Sequence, residues 1–340
     1  MITASTTSRI TSPAADDTTD WRQLWRESVT DPAELLDLLG LTELAAQLPP
    51  NDAGFALRVP RGFVARMRHG DRHDPLLLQV LPQLAELEQV PGFVSDAVGD
   101  INARVAQGVL HKYHGRALLI ASGSCAINCR YCFRRHFPYG EEIAAAGQWR
   151  HALAHLREDP SIRELILSGG DPLALTTAKL AELSAGLSEL PQVTRLRIHT
   201  RLPVVLPERV DAAFVAWLSA LPLQKVVVLH INHANELDAS VDAACARLRA
   251  AGAIVLNQAV LLRGVNDSAQ ALEALSERLF AAGVVPYYLY QLDRVQGAAH
   301  FEVDDAQARA LVEQLRQRLP GYLVPKLVRE VRGDAAKRPL

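Results

Sequence analysis

From Ala117 onward, short apolar runs rich in β-branched residues alternate with amphipathic helical patterns. The runs are ALLIAS, ELILSG, RLRIHT, KVVVLHI, AIVLNQAVL and VPYYLYQL, with stretches such as TTAKLAELSAGLSEL, VDAACARLRAAG and SAQALEALSERLFAAG between them. Six such βα units imply parallel strands joined by crossovers. Runs that are apolar throughout indicate a sheet covered on both faces. A doubly wound sheet and a barrel both satisfy that pattern, and the polar residues favour the barrel. Ser168-Gly169-Gly170-Asp171, His199-Thr200-Arg201, His230-Ile231-Asn232-His233, Asn257-Gln258 and Gln291-Leu292-Asp293 fall within or at the C-terminal ends of successive runs. That end carries the active site of a βα barrel. With six units in place of eight, the expected fold is an α/β, partial TIM-like (β/α)6 barrel, open at one side.

The rest of the chain is divided by composition. Residues 1–19 are rich in Ser, Thr and Asp with no apolar run, which predicts a disordered lead-in and neither a signal peptide nor an anchor. Residues 20–110 read as a helical region. WRQLWRESVTDPAELLDLLGL spaces its Trp and Leu residues at three and four, with Asp31-Pro32 as cap and first helical residue, and DPLLLQVLPQLAELEQV follows as a second helical stretch. The barrel is expected over 111–319, and 320–340 holds one more strand-like run and a polar tail. Hydrophobic residues make up 49% and charged residues 22%, as in globular proteins, and a net charge of −2 provides no field for nucleic acid. No apolar run is long enough to span a bilayer. Four cysteines in 340 residues are too few for a secreted disulfide framework, so a cytoplasmic location is expected.

Three of those cysteines are clustered. Cys125, Cys129 and Cys132 form C-x3-C-x2-C in the loop after the first run, with Tyr131 and Phe133 beside the last. A zinc site calls for four ligands, for which His136 is a candidate, whereas three soft thiolates suit a [4Fe–4S] cluster with one iron left open. Cys245, on a helical pattern, reads as a buried small hydrophobe.

C-x3-C-x2-C with an aromatic before the last cysteine resembles the radical S-adenosylmethionine (SAM) superfamily. That resemblance implies SAM on the open iron and a 5′-deoxyadenosyl radical after one-electron reduction, by a donor such as flavodoxin or ferredoxin. SGGDPL, after the second run, resembles the superfamily's glycine-rich loop, whose glycines let backbone approach the cofactor's ammonium. Ser168, Gly169, Gly170 and Asp171 are therefore implied SAM contacts, with His230 and Gln258.

KYHGRALL, CRYCFRRHFPY, LSGGDPL, RIHTRLPVVLPERV, LHINHANEL, NQAVLLRGVND and YYLYQLDRVQGAAHF together resemble the lysine 2,3-aminomutase family, from about Leu110 to the end. This resemblance implies pyridoxal phosphate (PLP) held by Lys337 in GDAAKRPL, with Lys112, Tyr113 and Arg116 toward its phosphate. It implies Arg134 for the substrate α-carboxylate, and Asp293 and Glu330 for its ε-ammonium. The family usually has Asp where Glu330 stands. Two carboxylates at the distal end favour L-lysine over glutamate. Zinc is not expected, because the position that holds one zinc cysteine in lysine-degrading members is Ser268 and the chain stops three residues after Lys337. The sequence looks like the shorter subgroup that makes (R)-β-lysine for elongation factor P, whose ligase would be an indirect partner, and a homo-oligomer is expected. The rivals are an aminomutase for another amino acid, a catabolic lysine 2,3-aminomutase, a radical SAM enzyme that modifies RNA, and a cluster-bearing electron carrier.

Overall fold

The computed structural model describes residues 20–50, 55–140, 143–147 and 149–340. The segment 1–19, expected to be disordered, lies outside them. Among the described residues ten strands form one sheet in chain order, and the sheet does not close. They are β1 (Arg104–Ala106), β2 (Val109–Tyr113), β3 (Arg116–Ser122), β4 (Glu164–Gly169), β5 (Arg195–Thr200), β6 (Gln224–His230), β7 (Ala253–Val260), β8 (Val285–Tyr290), β9 (Lys326–Arg329) and β10 (Arg338–Pro339). Strands β3 to β9 run parallel to one another; β1 and β2 at one edge and β10 at the other pair antiparallel. The six predicted runs are β3 to β8, and the late strand-like run is β9. This is the expected partial barrel.

Burial along the strands explains their composition. In β5 and β7 buried residues alternate with partly exposed ones. The buried set, such as Leu196 and Ile198, belongs to the main hydrophobic core, while Arg197, His199, Leu256 and Gln258 line the cavity inside the barrel. Helices Thr177–Leu187, Ala239–Ala250 and Ala269–Ala281 bury Leu180, Leu183, Val241, Leu248, Leu272 and Leu279 in the same core. Cys245 is fully buried there, as expected.

The helical expectation for 20–110 holds only in pieces. Asp20 and Asp31 cap helices Trp21–Arg26 and Pro32–Leu38, the second with proline at its start as the sequence predicts. The stretch from Asp74, however, is helical only over Pro75–Leu78, followed by a 3-10 turn over Leu84–Leu87. Pro82 falls between them and cannot continue a helix. Its apolar periodicity reports burial, since Leu76, Leu77 and Val80 are inaccessible. The sheet itself begins at Arg104, ahead of the expected boundary.

Candidate active site

A cavity of about 590 Å³ opens at the C-terminal ends of the parallel strands. It is lined by the residues that the resemblance implies for the cluster, the cofactors and the substrate: Cys125, Cys129 and Cys132 from the loop after β3; Arg134 two residues on; the Ser168–Asp171 loop; His230 and Gln258; Asp293; and Lys112, Tyr113, Arg116, Glu330 and Lys337. Register brings the middle pair together, because His230 of β6 is the partner of Gln258 of β7.

At one end the three cysteines are free thiols. Burial, and then the neighbouring thiols, push Cys125 well up and Cys132 to about 11. Cys125 and Cys132 are thus held against ionisation unless positive charge is added, which an iron cluster would supply. Arg201 NH1 lies 2.7 Å from Cys129 Sγ and 2.6 Å from the Tyr131 hydroxyl. The Tyr131 hydroxyl also meets His230 Nε2 at 3.0 Å, and burial followed by Arg201 pushes His230 down to about 3, so its imidazole is neutral.

The glycine-rich loop has a different local reason from the one its sequence suggests. Gly169 has φ +121°, and a Cβ there would sit 2.5 Å from Ser122 O; a Cβ on Gly170 would sit 2.6 Å from Ser124 O. The missing side chains make room for the cysteine loop's own backbone. That packing is sealed by Gly170 N to Ser122 O at 2.7 Å and Asp171 N to Ser124 O at 2.8 Å. The Asp171 side chain has a structural part in the same packing. Its Oδ1 accepts from Leu173 N and the Thr200 hydroxyl, and its Oδ2 from Arg201 N and Leu202 N. With both oxygens filled, the carboxylate staples the loops after β4 and β5, while the residue itself still lines the cavity.

At the other end Lys337 Nζ donates to Glu330 Oε2 at 2.7 Å and lies 4.8 Å above the Tyr290 ring. Glu330 Oε1 accepts from the Tyr113 hydroxyl at 2.7 Å, with Lys112 Nζ 3.5 Å away. Lys112 Nζ is closer to Asp100 Oδ1, at 2.7 Å, and Asp100 Oδ2 takes Arg134 Nε at 2.6 Å. Lys112 and Tyr113, predicted for a phosphate, are thus engaged with carboxylates here, while Arg116 stacks over the Tyr113 ring at 4.6 Å. Arg134 NH1 reaches the Ser168 hydroxyl at 3.0 Å. Burial, then Glu330, pushes Asp293 up to about 7.

Asp100 is absent from the sequence prediction of the site, which places His199 and Arg201 at its end of the barrel without a role. His199 sits in RIHTR at an inward-facing position of β5, a usable signal. Asp100 has none, since its partners lie on β2 and in the cysteine loop. The Nε2 of His199 and the Nε of Arg201 are buried without hydrogen-bond partners, and both residues line the cavity. Such orphaned groups beside cations call for anionic ligand groups. Carboxylates and phosphates of the expected cofactors and substrate fit that lining.

An open parallel sheet with three thiols after its first parallel strand and a glycine loop after its second defines a radical SAM enzyme. Residues 114–193 match the family model of a 4Fe-4S single cluster domain. The chain is 48% identical to the L-lysine 2,3-aminomutase of Escherichia coli (strain K12) over 94% of both proteins. It is 44% identical to that of Haemophilus influenzae over 96% of both. The enzyme of Clostridium subterminale is 31% identical over 95% of this chain and 78% of the relative. The chain belongs to the L-lysine 2,3-aminomutase family. Among the described residues no helix is long and apolar enough to cross a membrane.

Proposed function

We propose that this chain is an L-lysine 2,3-aminomutase that uses PLP with SAM and makes (R)-β-lysine for elongation factor P. One observation carries the reading: the three thiols, Arg134, Asp293, Glu330 and Lys337 line a single cavity. Cys125, Cys129 and Cys132 would hold the cluster, Ser168, Gly169, Gly170, His230 and Gln258 would contact SAM, and Lys337 would hold PLP. When bound, these groups supply an electron, a hydrogen-abstracting radical and a ring that delocalises an unpaired electron.

The chain's own residues supply recognition. Arg134 spends Nε on Asp100 and one NH1 hydrogen on Ser168, so three of its five N–H donors remain for an α-carboxylate. Arg116 and Lys112 offer positive charge to a phosphate. With Lys337 committed to PLP, Glu330 Oε2 loses its partner and joins Asp293 in receiving a distal ammonium. A lysine side chain satisfies that pair, whereas a glutamate side chain would add a third carboxylate. Tyr288 and Tyr290 wall the lysine end and limit its water. The use of the product for elongation factor P, by way of a ligase, rests on the short subgroup that the sequence motifs resemble. The same reading takes flavodoxin or ferredoxin as electron donor and a homo-oligomeric, cytoplasmic enzyme.

The test is anaerobic incubation of the reconstituted protein with SAM, PLP, dithionite and either L-lysine or L-glutamate, beside Lys337→Ala. β-Lysine from the wild type alone supports the reading. 5′-Deoxyadenosine without β-lysine would retain the radical chemistry and overturn the substrate. Co-expression with elongation factor P and its ligase, read by intact mass, tests the destination.

A further inference from the structure

Arg201 is a buried cation whose arrangement exceeds what holding the loops together requires. Its backbone N–H is fixed by Asp171 Oδ2 at 2.7 Å. Its NH2 donates to Gln79 Oε1 at 2.7 Å and Glu236 Oε2 at 2.9 Å, and its NH1 to Cys129 Sγ at 2.7 Å. Arg201 is 6% exposed and Glu236 0%. Glu236 is itself held by Asn232 N at 2.9 Å, His233 N at 3.1 Å and Gln79 Nε2 at 3.1 Å. Apolar residues would brace these loops at lower desolvation cost than a buried ion pair. Bracing also needs no donor aimed at a sulfur.

We propose that Arg201, by donating a hydrogen bond to the Cys129 sulfur, makes the cluster easier to reduce, and that Glu236 limits the effect. The inference rests on Cys129 being a cluster ligand. The step concerned is the uptake of one electron by [4Fe–4S]2+ to give [4Fe–4S]+, supplied by a low-potential one-electron donor outside the chain. That electron raises negative charge on the cluster and its thiolates. A buried guanidinium N–H stabilises the reduced form more than the oxidised one, because hydrogen bonds to sulfur and local charge set such potentials. The Glu236 carboxylate acts in the opposite sense.

The experiment is a potentiometric titration of the anaerobically reconstituted protein without substrate, the reduced cluster being read by electron paramagnetic resonance. The variants are Arg201→Gln, Arg201→Lys and Glu236→Gln, each first assayed for four bound irons. Arg201→Gln is expected to hold about tenfold less reduced cluster at a fixed potential, a shift of about 59 mV for a one-electron couple. Arg201→Lys falls between it and wild type, and Glu236→Gln shifts the opposite way. Unchanged potentials, or shifts of one sign in Arg201→Gln and Glu236→Gln, would overturn the proposal. If Arg201→Gln fails to load iron, Glu236→Gln decides: a higher potential supports the inference, and an unchanged or lower one refutes it. A wild type that binds no four-iron cluster sinks the cluster assignment and this inference with it. A loaded wild type with unmoved variants sinks only the role of Arg201.

Discussion

Lys337 and Glu330 form an ion pair, 2.7 Å from Nζ to Oε2, at the two ends of the connection that joins the antiparallel strands β9 and β10 at the edge of the sheet. Burial opposes the Glu330 charge, but Lys337, Tyr113 and Lys112 together hold its carboxyl below the usual range. The pair parks the amine over Tyr290 in advance of any cofactor. Glu330→Gln keeps the shape and removes the charge. Its expected phenotype is retained PLP, fixed to the chain by borohydride, with KM for L-lysine raised about tenfold or more. Lys337→Ala is expected to lose borohydride-fixed PLP, which mass spectrometry reads directly.

Asp293 links the site to pH. Its carboxyl is pushed up to about 7, from about 3.9 in an unfolded chain. The folded protein therefore binds this proton more tightly, and the carboxyl's contribution to stability falls as pH rises between those two values. Asp293→Asn mimics the protonated form. The apo-variant should be more stable than wild type, by a margin that widens from about pH 4 and levels off above about 7. Melting temperatures of both proteins at pH 5.5 and 8 check this; a margin that shrinks with pH would refute it. The same variant should bind L-lysine more weakly at pH 8, where the wild-type carboxylate is ionised.

Arg134 tests the carboxylate grip. Arg134→Lys keeps the charge and loses the fork. The expected loss in L-lysine affinity is about ten- to a hundredfold, the range for a charged hydrogen-bonded contact of about 1.5–3 kcal/mol. Isothermal titration with the PLP-loaded protein measures it. Iron content should stay unchanged, which separates substrate binding from damage to the adjacent cysteine loop.

The four cysteines should divide cleanly. Cys125→Ala, Cys129→Ala and Cys132→Ala are each expected to lose the four-iron signal after reconstitution. Cys245→Ala, in the helical core, should keep its iron and lose about 1 kcal/mol of stability. Iron and sulfide assays with thermal melts distinguish the two classes.

The strands β3 to β8 were legible because each carries apolar, largely β-branched residues that the core buries, with polar residues such as Arg197, His199 and Gln258 lining the cavity. The cysteines and SGGDPL were legible because their spacing is local. The 74–90 stretch misled because buried apolar residues can mimic helical periodicity where a proline forbids the helix. Asp100 itself, and the contacts of Arg201, were out of reach for another reason. A carboxylate that joins Lys112 to Arg134, or a guanidinium that meets a thiol, Gln79 and Glu236, is defined by contacts across loops that no sequence spacing records. Asp171 shows the same limit in reverse: its motif was recognised, but its four donors come from two loops.

Gly169 and Gly170 have room for no side chain because Ser122 and Ser124 occupy that space. Two motifs far apart in sequence are therefore one mechanical part, and neither loop can drift alone. A methyl group at Gly170 would push on the hinge of the cysteine loop before it reached any cofactor. Mutational tolerance in the two loops should accordingly be shared, with changes in one accepted only alongside compensating changes in the other.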